Sequence, residues 1–362
     1  MSSLVLHDFH AGLRAQFKKV NGAEAVEHYG DPLAEHGALR NVAGVIDLSF
    51  RSRICLTGGD RARFLNGQVT NNVKDLRAGE GCYAALVTAK GKLQSDLNIY
   101  SLANELLLDF EPGLTEAVAQ RLEKYIIADD VQVVDVTPHY GLLSVQGPKA
   151  EEVARNVGLS LELPARPMAF TTTNNGTLGE IYLMNQPHLG TSGLDLFVPT
   201  AALGAVMDKL IAAARQSGGR PCGWQALETA RIEAGIPRFG VDMDETNLAP
   251  EAGIEGRAIS YSKGCYIGQE VIARIRTYGQ VTRALRGLRL ADDLKILPVK
   301  GDKLQRGGKE VGYITSALAS PALKANIALG YVRKEANEIG TELLLRTAEG
   351  ESPARVVALP FK

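Results

Sequence analysis

The chain has 362 residues with 40 Lys and Arg against 41 Asp and Glu. That is length for two or three domains with their own cores, and a charge too balanced to recruit nucleic acid through a basic field. No apolar run approaches the ~20 residues that span a bilayer. The first twenty residues carry His7, Asp8 and Arg14 with no apolar stretch and no small-residue cleavage site, so a soluble, non-secreted protein in a reducing compartment is expected. Cys55, Cys82, Cys222 and Cys265 are scattered without a CxxC pair, and the histidines show no HxH or HExxH spacing. Neither a disulfide framework nor a metal or cluster cage is encoded.

In chain order, residues 11–29 show a helical rhythm of apolar positions interrupted at Asn21-Gly22, and Asp31-Pro32 breaks it. From Val45 the texture turns to strands. Arg53 to Thr57 alternates with period two, and Asp60 is expected to cap a short helix through Leu65. Cys82 to Thr88, a turn at 89–92 and Leu93 to Tyr100 predict a β-hairpin with one carboxylate, Asp96. A strand at 105–110, an amphipathic helix at 115–127, and strands at 131–137 and 141–146 follow. Gly147-Pro148 opens another helix, Asn174-Asn175-Gly176 turns between two strands, and a strand at 194–198 precedes helices at 201–214 and 224–234. After Thr282, short segments at 285–290, 302–304, 309–316, 327–332, 342–346 and 354–359, separated by Gly or Pro turns, predict a small antiparallel barrel. Strands and helices never alternate strictly with long parallel runs, so the class is α+β.

The stretch Lys263-Gly264-Cys265-Tyr266-Ile267-Gly268-Gln269-Glu270 stands apart. It holds one cysteine in a segment without apolar periodicity, just ahead of a helix that begins near Gly268. The helix N-terminus and the nearby Arg257, Lys263, Arg274 and Arg276 are expected to favour a thiolate, which makes Cys265 the candidate reactive atom. The plain alternative is a small buried hydrophobe. Arg231 and Glu233, two apart on a helix, do not face each other, and Arg231 can equally be an ion-paired arginine. Tyr83 and Tyr266 can equally be ordinary packing.

Arg231-Ile232-Glu233-Ala234-Gly235-Ile236-Pro237, continued by Gly240-Val241-Asp242-Met243 and Pro250-Glu251-Ala252-Gly253, resembles the signature of the T-protein superfamily, the tetrahydrofolate-dependent aminomethyltransferases of glycine cleavage. The similarity runs from about Gly44 to the C-terminus. Within it, Lys263 to Glu270 resembles the KGCYIGQE-type signature of the YgfZ branch, folate-binding proteins that support assembly or repair of iron-sulfur enzymes. The resemblance implies mixed sheets and helices around a central hole that takes tetrahydrofolate or a derivative, with a C-terminal antiparallel β-barrel. Residues 1–240 would form the folate-binding region, 241–281 a connector carrying the motif, and 282–362 the barrel.

For site residues, the resemblance implies Asp96 and Cys265 as the chemical groups, and Asp96, Tyr83, Arg231, Phe239 and Tyr266 around the folate. Phe239 can stack on a pterin without hydrogen-bonding it. No resident metal is implied. Clients would be iron-sulfur enzymes or cluster assembly proteins, including tRNA-modifying enzymes, with no direct contact to nucleic acid or membrane. The compartment would be the cytoplasm, or the mitochondrial matrix in a eukaryote. Two departures from the aminomethyltransferase pattern bear on this. A paired aspartate reads Ser95-Asp96, and Thr191 stands where a pterin-binding glutamate is usual. A lost charged acceptor costs roughly 1.5–3 kcal/mol, so folate is expected to bind more weakly or in another pose. The alternative reading is a folate-dependent aminomethyltransferase or demethylase, indifferent to Cys265→Ala, and a third is a folate-binding scaffold without chemistry.

Overall fold

The computed structural model describes residues 3–279 and 281–362. The chain forms two compact units: one of residues 1–84 and 95–230, the other of residues 85–94 and 231–362.

The first unit is built on two sheets. One runs in the order Phe170–Asn175, Gly179–Asn185, Gly193–Pro199, Tyr140–Gln146, Gly44–Asp47, Arg220–Pro221. The other runs Glu80–Val87, Leu93–Ser101, Leu106–Phe110, Ser52–Thr57, Gln132–Asp135. Successive strand residues point to opposite faces, and that alternation sorts the core into layers. Leu143 and Val145, with Leu194, Leu196 and Val198, pack against helices Ala150–Asn156 and Leu203–Gln216. Leu142 and Phe197 point the other way and join Cys55, Tyr100 and Leu107 of the second sheet in a core between the sheets. The six-stranded sheet is therefore apolar on both faces, which hides its strands from a simple alternation reading.

The N-terminal segment departs from its expected helical rhythm. Only His7–Gly12 is helical, and Gln16–Val20 pairs antiparallel with Ala23–His28. Asn21 and Gly22 both take positive φ, 48° and 84°, as a type I′ hairpin turn requires. Asp31-Pro32 begins helix Pro32–Asn41 instead of ending one: the Asp31 carboxylate accepts from the Ala34 amide at 3.0 Å, and proline occupies the first turn. Asp60 sits at the N-cap position of Arg61–Gln68, but its side chain makes no cap hydrogen bond and accepts instead from the Asp130 amide at 3.0 Å.

In the second unit, Arg283–Leu290, Ala325–Arg333, Lys309–Ser320, Lys303–Arg306, Glu342–Thr347 and Gly350–Val357 close into a barrel in that order, so all six expected strands are present. Leu288, Ile314, Val332 and Leu345 fill its interior. No helix among the described residues is long and apolar enough to cross a membrane.

Candidate functional site

The hairpin carrying Asp96 contributes its base to the first unit and its tip, residues 85–94, to the second. On strand Leu93–Ser101, Asp96, Asn98 and Tyr100 share one face, and Tyr100 lies in the core between the two sheets. Asp96 and Asn98 thus point to that side. Tyr83 and Asp96 are brought together as expected for a common site: the Tyr83 hydroxyl donates to Asp96 Oδ2 at 2.8 Å. The other Asp96 oxygen has no hydrogen-bond partner among the described residues.

Beside Asp96 lies a charge network that the sequence reading missed. Arg51 donates to both oxygens of Asp109, at 2.9 and 3.2 Å, and to Glu111 at 2.9 Å, while Asn98 donates to Asp109 at 3.0 Å. Burial alone would push the Arg51 guanidinium down, but Asp109 and Glu111 more than reverse this and hold it above the ordinary arginine range. Arg53, on the same strand face as Cys55, is buried with Nε and Nη1 unpartnered, and that burial pushes it down to about 10.

Across the core, Asp195 shares a face with Phe197 on strand Gly193–Pro199 and is 2% exposed. His188 Nε2 lies 2.8 Å from its Oδ2, and its Oδ1 has no partner. Tyr100 is pushed above its ordinary range by burial, then by Asp195 and Asp109, so one side chain feels both sheets' carboxylates. Thr191 is exposed, whereas a buried carboxylate with an open oxygen stands four residues later. Ser95 is fully buried on the strand face opposite Asp96, so its lack of a carboxylate removes nothing from the Asp96 side.

The other expected site residues lie in the second unit. Arg231 is buried and ion-paired with Asp242; its Nη2 also donates to Ser316 at 3.2 Å. Phe239 is buried and bridges to Met243. Tyr266 is buried beneath the Lys263 ammonium, 5.0 Å from the ring centroid, and desolvation pushes its phenol up to about 12.

Cys265 is exposed, which rules out the buried-hydrophobe alternative. Three of the four cations expected to surround it are engaged with other side chains. Arg274 pairs with Glu270 at 2.7 Å, Arg276 stacks on Tyr261 at 3.9 Å, and Lys263 covers Tyr266. Gly268 takes φ 84° at the N-cap of helix Gln269–Tyr278, and a Cβ there would stand 2.5 Å from the Thr88 carbonyl oxygen. The glycine therefore lets the motif pack on the hairpin tip. Among the described residues, no group of three or more His, Cys, Asp or Glu side chains is arranged to hold a metal ion.

Two family models match. Residues 6–263 match the GCVT N-terminal domain, and residues 283–362 match the glycine cleavage T-protein C-terminal barrel domain. An aminomethyltransferase of Halalkalibacterium halodurans is 30% identical, covering 90% of this chain and 88% of its own. One from Rubrobacter xylanophilus is also 30% identical, over 98% and 93%. The crystal structure of the glycine cleavage system aminomethyltransferase T from Bartonella henselae has the same fold, with TM-score 0.90 at 24% identity over 100% of this chain and 98% of that one. With both models matched over most of its length and 30% identical relatives spanning nine-tenths of it, the chain belongs to the glycine cleavage T-protein family.

Proposed function

We propose that this protein binds tetrahydrofolate and acts as a folate-dependent one-carbon transferase of the aminomethyltransferase type. Relatives named aminomethyltransferase over nearly the whole chain support the reaction class. The observation that carries the reading is the pair of carboxylates in the first unit, Asp96 and Asp195, each with an oxygen left open. Asp96 is half-buried and open to a ligand or solvent, whereas the Asp195 oxygen is buried without a donor, which costs free energy, and a pterin ring offers amino and ring N–H donors of the kind it needs. On that test the residues present fit a folate.

Asp195 would accept from the ligand while His188 holds its other oxygen in place. Asp96, its rotamer fixed by the Tyr83 hydroxyl, would hold or move the proton at its open oxygen during transfer. The bound folate supplies the nucleophilic nitrogen that carries the one-carbon unit.

A second reading, maintenance of iron-sulfur enzymes in the manner of the YgfZ branch, is favoured by one observation, the exposure of Cys265 in its Lys-Gly-Cys motif. In it the Cys265 sulfur engages a client's sulfur, iron or thiol transiently, with cluster enzymes such as tRNA-modifying enzymes as clients. Calorimetric titration with tetrahydrofolate, and one-carbon turnover with the partner proteins of glycine cleavage, test the first reading. Asp195→Ala should abolish measurable binding, and Asp96→Asn should cut turnover about a hundredfold while Cys265→Ala leaves it intact. Rescue of cells lacking their own YgfZ-type gene, scored on a [4Fe-4S] enzyme and on glycine cleavage, separates the two. Recovery of the cluster enzyme alone, lost in Cys265→Ala, would replace the first reading with the second.

A further inference from the structure

We propose that the first unit contains a second binding site, for a small organic ammonium ion, independent of the folate reading. It lies two residues along the same strand faces from the charge network, where Arg53 gives way to Cys55 and Asp109 to Leu107. There the space between the sheets opens into a cavity of about 170 Å³, lined by Cys55, Phe197, Tyr140, Tyr182, Glu105 and Glu180 together with aliphatic side chains. Cys55 and Phe197 are buried, 4% and 2% exposed, and form its floor. Tyr140 and Tyr182 meet edge to face with centroids 6.0 Å apart. Glu180 is exposed and Glu105 half-buried, with the Glu105 carboxylate acting on the Cys55 thiol of the floor.

The chemistry of the lining is one-sided. No Lys, Arg or His lines the cavity, and among the described residues neither glutamate is ion-paired. The Tyr182 hydroxyl donates to Glu180 Oε2 at 2.5 Å. Burial pushes the Tyr140 and Tyr182 phenols up, and Glu180 and Glu105 push them further, with no cation working in the opposite direction. An anion is repelled from such a space, and a neutral apolar molecule gains nothing from its carboxylates. An alkylammonium ion satisfies every element: its charge meets ring faces and carboxylates, its N–H donates to a glutamate, and its methyl groups fill the apolar floor. At about 30 Å³ per water, the volume is that of five to six waters, which matches a cation of only a few non-hydrogen atoms.

The test is calorimetric titration of the full chain with trimethylammonium chloride at fixed ionic strength, paired with tert-butanol, which is similar in shape and uncharged. Saturable trimethylammonium binding, at least tenfold tighter than tert-butanol and weakened about tenfold in Glu105→Gln and in Glu180→Gln, is the expected result. Equal affinity for the two probes, no saturable binding, or unchanged binding in both glutamine variants overturns the assignment. If a variant fails to fold, the two-probe comparison on the wild-type chain decides.

Discussion

Replacing Asp242 by alanine should cost the second unit more stability than any other single side chain described above. Asp242 is 0% exposed and ion-paired with Arg231. Thr315 and Ser316 each donate to its Oδ1 at 2.6 Å, and the Arg238 amide donates to Oδ2 at 3.2 Å. Asp242→Ala takes a buried carboxylate from the Arg231 guanidinium and the acceptor from the Ser316 hydroxyl, whereas Thr315 keeps a bond to the Leu329 carbonyl at 3.1 Å. Breaking one partner of a buried pair costs about 3–5 kcal/mol, or about two to three and a half decades in the folding equilibrium. Removing both charges together, in Arg231→Met with Asp242→Leu, should recover most of that loss, to within about 2 kcal/mol of wild type. Urea unfolding followed by far-ultraviolet circular dichroism measures all three. A loss below about 1 kcal/mol in Asp242→Ala would refute the reasoning. If the double variant is stable but no longer binds tetrahydrofolate, Arg231 serves the ligand as well as the fold.

Gly268→Ala should destabilise the second unit by about 2–4 kcal/mol, because it adds a left-handed backbone penalty to an overlap with the Thr88 carbonyl; a urea midpoint equal to wild type would contradict this. Asp244 gives a pH signature. Burial raises its carboxyl, but the Thr246 hydroxyl and amide, then Lys300 and Arg283, outweigh this and leave it below the ordinary 3.8. A depressed folded-state value stabilises above that ordinary value and is lost as pH falls through the lower one, so wild-type stability should drop more steeply below about pH 4 than that of Asp244→Asn. Iodoacetamide should modify Cys265 at least tenfold faster than Cys55 or Cys222, both buried with their thiols pushed up by desolvation, as read by peptide mass spectrometry. Equal rates would mean that the motif does not present its sulfur.

The barrel was legible because each of its strands carries its own pattern between glycine or proline turns, a local signal that tertiary context need not complete. The N-terminal hairpin was misread for the opposite reason. Its apolar positions fit either period over so short a span, and the deciding information lay in Asn21-Gly22, which permits two consecutive positive φ values. Asp31-Pro32 poses the same ambiguity, since a proline that cannot continue a helix is equally suited to begin one.

The candidate site shows where pattern reading stops. Tyr83 and Asp96 were found because a hairpin places cross-strand neighbours together, which is a short-range inference. Asp195 and Asp109 were missed although each is a carboxylate inside an otherwise apolar strand, among Leu194, Leu196 and Phe197 in one case and Leu106, Leu107 and Leu108 in the other. A strand buried on both faces has no place for a charge unless a partner is waiting for it. For Asp109 the partners are Arg51 and Asn98, inside the chain. For Asp195 one oxygen has His188 and the other has nothing. The sequence therefore held the sign that something must meet these residues. Whether that partner belongs to the protein or to a ligand is settled only when two sheets, far apart in the chain, bring their carboxylates to a common core.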